Sequence, residues 1–268
     1  MVDYSGYEHI LAERDGNILT LTLNRPDRMN AVNGRLHTEL STIFREVNRD
    51  NEAWAVILTG AGRAFCAGGD IGGMASSESG SNLEHRVAEV RGEAQEIVYS
   101  ILDLEKPLVG KINGAAVGLG ATVALLCDVV VASEKARIGD RHVNVGLVAG
   151  DGGAVIWPWL VGINKAKELL MTGELIQGDD LARLGIVNHL VDSEELDAFC
   201  LTKARELAGM APYALRATKQ TLNKILKKQA EEVMDVGLAW EWLSMRQDDH
   251  REATAAFVEK REAHFTGG

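Results

Sequence analysis

The chain has few cysteines: Cys66, Cys127 and Cys200 are odd in number, far apart and form no C-x-x-C pair. That pattern argues against a disulfide framework and a zinc site, so no metal is expected and a reducing cytoplasm is the expected compartment. Basic residues are also in deficit, 28 Lys plus Arg against 39 Asp plus Glu, for a net charge of -11. A protein that tracks nucleic-acid phosphates would carry the opposite sign, so no nucleic-acid partner is expected, and any anionic ligand must meet a local basic patch. Long hydrophobic runs are missing too. The most membrane-like stretch, Gly114 to Cys127, is uncharged until Asp128, but a bilayer span needs about 20 apolar residues. It reads as a core helix, and no membrane partner is expected. Met1 to Asn17 carries charges throughout and lacks the basic start and apolar run of a secretory signal. What remains is ordinary globular composition, 46% hydrophobic and 25% charged over 268 residues, enough to bury a real core.

Periodicity gives an α/β order. Ile18 to Leu23 alternates apolar residues with Thr20 and Thr22, the period of a half-buried strand, and Asn24-Arg25-Pro26-Asp27 closes it with turn residues. Asn33 to Asn48 has the spacing of an amphipathic helix. Trp54 to Thr59 and Leu108 to Ile112 are short apolar runs closed by glycine turns, and Val129 to Ala132 and Ile186 to Val191 repeat the pattern. Helices are expected between them at Asn164 to Met171 and Asp179 to Leu184. Alternating strands and helices imply an α/β core. From about Ser193 the character changes, and Glu194 to Gly209, Pro212 to Glu232 and Met234 to Lys260 read as charged helices. Their apolar stripe, Val233, Val236 and Trp240, is more than a small lone appendage could bury. The expected organisation is a core over residues 1–192 and a helical region over 193–268, with Ala75 to Asn82 (ASSESGSN) as a mobile surface loop.

Several enzyme signatures are absent. There is no G-x-S-x-G, and Gly110-Lys111 is followed by Ile112, so neither a nucleophile elbow nor a P-loop is present. Gly118-Leu119-Gly120 lacks the third glycine of a dinucleotide fingerprint. Two glycine-rich segments are more informative. Gly62 to Ile71 (GRAFCAGGDI) and Lys111 to Gly120 (KINGAAVGLG) each place unhindered backbone at the end of a strand. An N–H at the start of a helix has no partner within it and lies at the positive end of the dipole. Two such groups would make an oxyanion hole.

These residues resemble the enoyl-CoA hydratase/isomerase, or crotonase, superfamily nearly end to end. The resemblance runs through Leu23-Asn24-Arg25-Pro26 with Met29-Asn30-Ala31, Ala64 to Asp70, Asn113-Gly114 with Gly118 through Asp128, Gly150-Asp151-Gly152-Gly153, Leu170-Met171-Thr172-Gly173, and Ala256 to Arg261. It implies a spiral of ββα units and an α-helical C-terminal oligomerisation region that builds a homotrimer or hexamer. It also implies an acyl-CoA thioester substrate, with coenzyme A as part of that substrate and no separate cofactor, whose enolate is held by two backbone N–H groups. Carried over position by position, the donors are the N–H groups of Gly69 and Leu119. Arg28, Ala67 and Ile71 lie against coenzyme A, and Phe257 and Lys260 reach its adenine or phosphate end, from a neighbouring subunit in an oligomer. Arg25, Arg28 and Lys260 would supply the positive field that the whole chain lacks. The alternative is that Arg25 caps a turn, Phe257 is helix core and Lys260 is a solvated charge.

The departures from the family pattern bear on the reaction. A hydratase that resembles this chain would use two glutamates, in the slots of Thr122 and His142, and this chain has neither. Thr122 reads as a polar core residue bonding back to its own helix, the alternative being a hydroxyl that positions water. His142, with an unperturbed pKa of about 6.5, suits proton transfer, and Asp151, flanked by glycines, is a candidate catalytic carboxylate. The camphor-type β-diketone hydrolases of the superfamily similarly pair a His and an Asp in this region. Glu241 reads as a solvated helix glutamate, with a further carboxylate for the site as the alternative. The expected protein is an acyl-CoA enzyme of the enoyl-CoA hydratase/isomerase family. A C–C hydrolase or isomerase using His142 and Asp151, or a non-catalytic acyl-CoA binder, stands beside that reading.

Overall fold

A computed structural model describes residues 2–71 and 83–268, so the expected loop at Ala75 to Asn82 lies outside the described residues. An antiparallel hairpin opens the fold, β1 (Ile10–Asp15) pairing with β2 (Ile18–Leu23). Next comes α1 (Gly34–Arg49), capped by the Asn33 side chain, which accepts from the Leu36 N–H. Its apolar stripe, Leu36, Leu40, Ile43, Phe44 and Val47, is fully buried. Three units then repeat one plan: a strand for a large sheet, a strand for a small sheet, then helical chain. β3 (Ala55–Gly60) and β4 (Ala64–Cys66) precede α2 (Leu83–Asp103), and β5 (Leu108–Ile112) and β6 (Ala115–Val117) precede α3 (Leu119–Leu125). β7 (Val129–Ser133) and β8 (Arg137–Gly139) precede a 3-10 turn at His142–Val145, α4 (Gly153–Val161) and α5 (Ile163–Thr172). β9 (Ile176–Gln177), α6 (Asp179–Arg183) and β10 (His189–Val191) follow, and the chain ends with α7 (Leu196–Ala208), α8 (Pro212–Ser244) and α9 (Asp248–Glu259).

The large sheet runs β1-β2-β3-β5-β7-β10 and the small one β4-β6-β8-β9. From β2 onward the large sheet is parallel. Both faces of β3 are covered and all of its residues are buried, which is why it reads as an unbroken apolar run. This is the expected spiral of ββα units.

Three local expectations are corrected. Gly114 to Cys127 is not one core helix, because Ala115–Val117 forms β6 and Gly118, at φ +55°, turns the chain into α3. A Cβ on Gly114 would lie 2.1 Å from the Arg63 carbonyl oxygen, so glycine is what lets the two segments touch. The strand expected from Ile186 starts only at His189, because left-handed Gly185 and the Ile186 N–H bond to the Leu181 carbonyl finish the α6 turn. The helices expected to part near Val233 are one, since nothing after Pro212 breaks α8 before Ser244.

The C-terminal helices pack into the core of the sheets. Ala230, Met234 and Leu238, one stripe of α8, belong to the same buried cluster as Leu58, Val98 and Ile112. On the other face of the large sheet, Leu196, Cys200 and Ala204 of α7 cover Ile18, Ile57 and Val109. No helix among the described residues is long and apolar enough to cross a membrane.

Candidate active site

β4, β6 and β8 are parallel neighbours, so their carboxyl ends open on one edge of the small sheet. Ligands of parallel sheets bind outside such ends. The loops there approach closely because glycines permit it. A Cβ on Gly68 would lie 2.8 Å from the Val117 carbonyl oxygen, and one on Gly120 would lie 2.5 Å from that of Cys66.

The loop after β4 is pinned from behind. Ala67 N–H donates to Met29 O at 3.0 Å, Val32 N–H to Gly68 O at 2.8 Å, and Asp70 N–H to Val32 O at 3.0 Å. Arg25, expected to face an anionic ligand or cap a turn, instead donates to Asp70 at 3.2 Å and to the Ala31 carbonyl, steadying the same loop. In an extended bridge successive N–H groups alternate in direction, so the Gly69 N–H faces away from Val32. Leu119 is the first residue of α3, where an N–H has no intrahelical partner. Neither N–H makes a backbone hydrogen bond among the described residues. Both residues line one cavity of about 170 Å³.

His142 and Asp151 line that cavity as well. Asp140 Oδ1 accepts from the His142 backbone N–H at 3.1 Å and lies 2.6 Å from Nδ1, while Nε2 lies 3.3 Å from Asp151 Oδ2. The ring therefore bridges two buried carboxylates. Burial disfavours a charged ring, but Asp151 and Asp140 outweigh it and lift the imidazole well above its ordinary pKa. Burial also pushes the Asp140 carboxyl up, yet His142 holds it below the usual carboxylate value. A carboxylate against each nitrogen favours the protonated ring over the neutral one. Nitrogen and oxygen atoms of the trio lie within 4.8 Å of one another, a spacing that would suit a cation. The contacts of 2.6 and 3.3 Å from the ring nitrogens to the two carboxylates are equally hydrogen-bonding distances.

Glu241 is the residue the sequence undersold. Ala230, Met234 and Leu238 mark the buried stripe of α8, and its next turns carry Glu241, Trp242 and Met245 into the cavity. The helix crosses the loop carrying Asp151 at two glycines. A Cβ on Gly150 would lie 2.4 Å from the Gly237 carbonyl oxygen and 2.7 Å from Glu241 Oε2. Burial first, and then the charge of Asp151, push the Glu241 carboxyl up to about 8, so it is protonated at pH 7. Its place three residues after Leu238 was the available signal. Glu241 Oε2 and Asp151 Oδ1 have no hydrogen-bond partner among the described residues. Buried polar atoms left unpaired cost about 1–3 kcal/mol each, which makes them markers of function.

Thr122 does not bond back to its helix. Its buried Oγ1 has no partner among the described residues, and the side chain lies under Gly152 rather than on the cavity wall. Ala67 and Ile71 line the cavity, whereas Arg28, Phe257 and Lys260 do not. Phe257 is 59% exposed rather than helix core, and Arg28 and Lys260 are exposed charges.

A family model described as enoyl-CoA hydratase/isomerase matches residues 13–268. A short-chain-enoyl-CoA hydratase of Clostridium acetobutylicum is 34% identical over 259 residues, covering 94% of this chain and 95% of its own. A 1,2-epoxyphenylacetyl-CoA isomerase of Escherichia coli is 32% identical over 260 residues, covering 97% and 99%. The crystal structure of an enoyl-CoA hydratase/isomerase from Mycobacterium paratuberculosis superposes with a TM-score of 0.87 at 35% identity, covering 92% of this chain and 97% of that one.

Proposed function

This chain belongs to the enoyl-CoA hydratase/isomerase family, and we propose that it binds an acyl-CoA thioester and moves a proton at the α-carbon. In this reading the N–H groups of Gly69 and Leu119 hold the thioester oxygen as it becomes an enolate. Asp151 takes the α-proton, protonated Glu241 supplies the one proton that returns, and His142, 3.3 Å from Asp151 Oδ2, holds the base in place. Ala67 and Ile71 contact coenzyme A from the cavity wall, and Arg28, Phe257 and Lys260 meet its adenine and phosphates from outside it. The reading is carried by one observation: two unpaired backbone donors share a cavity with a carboxylate, Asp151, beside an acid, Glu241, that is still protonated at neutral pH.

Isomerisation is favoured over hydration. Thr122 lies off the cavity and His142 is held between two carboxylates, so neither stands in for a glutamate as the base that activates water, and Asp151 is assigned here to the α-proton. A water-splitting C–C hydrolase meets the same obstacle at His142. Hydration of crotonyl-CoA, followed by loss of the conjugated thioester absorbance, is expected to run about 10²–10⁴-fold slower than in a two-glutamate hydratase. Hydration at the full hydratase rate would overturn the isomerase reading.

The acid role has a pH signature. Glu241 keeps its proton up to about 8, so turnover is expected to fall as pH rises through that value, and Glu241→Gln should lose this limb. The same group acts on stability. Its carboxyl ionises near the ordinary glutamate value of 4.5 when unfolded and at about 8 when folded. The native state therefore binds the extra proton between those values and loses stability as pH climbs through that window. Glu241→Gln is expected to raise Tm by several degrees at pH 8 and to change it little at pH 4, as read by thermal unfolding at the two pH values.

The assembly we propose is a trimer or a pair of trimers. Val236, Trp240 and Leu243 on α8 and Phe257 and Val258 on α9 are each about half exposed, an apolar surface that association would cover. Sedimentation at micromolar concentration is expected to show the oligomer, and a stable monomer would remove this claim.

A further inference from the structure

His37, on α1, lines the same cavity and takes no part in the proton transfers above. Its side chain is 13% exposed, and Nδ1 lies 2.7 Å from Glu93 Oε2 on α2. Glu93 is itself held, because its other oxygen accepts from Thr38 Oγ1 at 2.7 Å. Burial pushes the Glu93 carboxyl up, but these two partners outweigh it and keep it below the usual range, an ionised acceptor at both oxygens. The proton between ring and carboxylate therefore belongs to Nδ1, which fixes the tautomer and the orientation of the imidazole. Nε2 is left as the free polar atom of the ring and makes no hydrogen bond among the described residues.

The lining that His37 shares includes apolar Val32, Ile71, Ala94 and Leu238. His142, Asp151 and Glu241 line the same cavity but serve the proton transfers; a further fixed polar atom beside these apolar residues is poorly matched by a plain alkyl chain and well matched by a ligand group that can hydrogen-bond to it. A hydroxyl fits both ring forms, donating to the lone pair of a neutral imidazole or accepting from an imidazolium. We propose that His37, oriented by Glu93, selects acyl-CoA thioesters that carry a hydroxyl on the acyl group. The proposal rests on the acyl-CoA reading of the cavity. His37 touches the substrate in this account, and Glu93 is a positioning residue.

The test is calorimetric binding of saturated acyl-CoA thioesters of one chain length, with a hydroxyl moved one carbon at a time, each compared with its deoxy analogue. One hydroxyl position is expected to bind at least about 10-fold tighter than the deoxy thioester. His37→Phe should bring that ratio close to one. Glu93→Gln should shrink the ratio and Glu93→Asp should partly restore it, a rescue that general loss of packing would not give. His37→Leu serves the same comparison if His37→Phe does not fold. Absence of preference at every position, or a preference that survives loss of the imidazole, overturns the inference while leaving acyl-CoA binding intact. Failure to bind any thioester overturns both.

Discussion

Gly69→Pro is expected to lower turnover of an acyl-CoA substrate by about 10²–10³-fold, the usual consequence of removing one oxyanion donor. Proline has no N–H, and at this position the N–H is the group that the proposed chemistry uses. The bonds that pin the loop belong to its neighbours: Val32 N–H to Gly68 O at 2.8 Å and Asp70 N–H to Val32 O at 3.0 Å can both persist. The measurement is kcat/KM, with thermal unfolding beside it to show that the variant folds. Leu119→Gly is the companion. It keeps the second donor, so its penalty should be confined to lost packing and about 1 kcal/mol of helix propensity. Unchanged turnover in folded Gly69→Pro would remove Gly69 from the site.

How much of this was legible in the sequence depended on the scale of each element. β2 and β5 match their expected bounds, Ile18 to Leu23 and Leu108 to Ile112, because six and five residues are enough to display a pattern. The strands of the small sheet, Ala64–Cys66, Ala115–Val117, Arg137–Gly139 and Ile176–Gln177, hold two or three residues each. No periodicity can appear over so short a run, and that sheet positions the site. The pairing of Gly69 with Leu119 was readable only because their glycine-rich motifs resemble a known family. β1 escaped notice because Glu13, Arg14 and Asp15 mask its alternation.

Side-chain chemistry was legible less far. Asp151 and His142 stood out by their neighbours in sequence, yet nothing local shows that a carboxylate lies against each ring nitrogen. That arrangement needs the loop after β8 and the start of α4 to meet. Glu241 looked like any glutamate on a charged helix, since its burial follows from the crossing of Gly237 over Gly150. Thr122 is buried, as its place on an apolar helix implies, but its hydroxyl finds no partner among the described residues, which no local pattern signals.

Asp151→Asn is expected to have the largest effect, about 10²–10⁴-fold, because it removes the carboxylate assigned to proton abstraction. Asp151 Oδ2 lies 3.3 Å from His142 Nε2, while Oδ1 has no partner among the described residues and is the oxygen left to receive a proton. Asparagine keeps the shape and cannot accept that proton. The neighbouring acid, Glu241, still protonated at pH 7, would then have no enolate to protonate. Turnover alone would confound this step with water addition or product release, so the decisive quantity is the exchange of the α-proton itself. Saturated acyl-CoA thioesters are incubated in D₂O with the protein, and loss of the α-proton signal is followed by NMR. Exchange by the native chain, slowed at least about 10²-fold in Asp151→Asn, is the expected result. No exchange by the native chain across the thioesters, or exchange undiminished in the variant, would contradict the account.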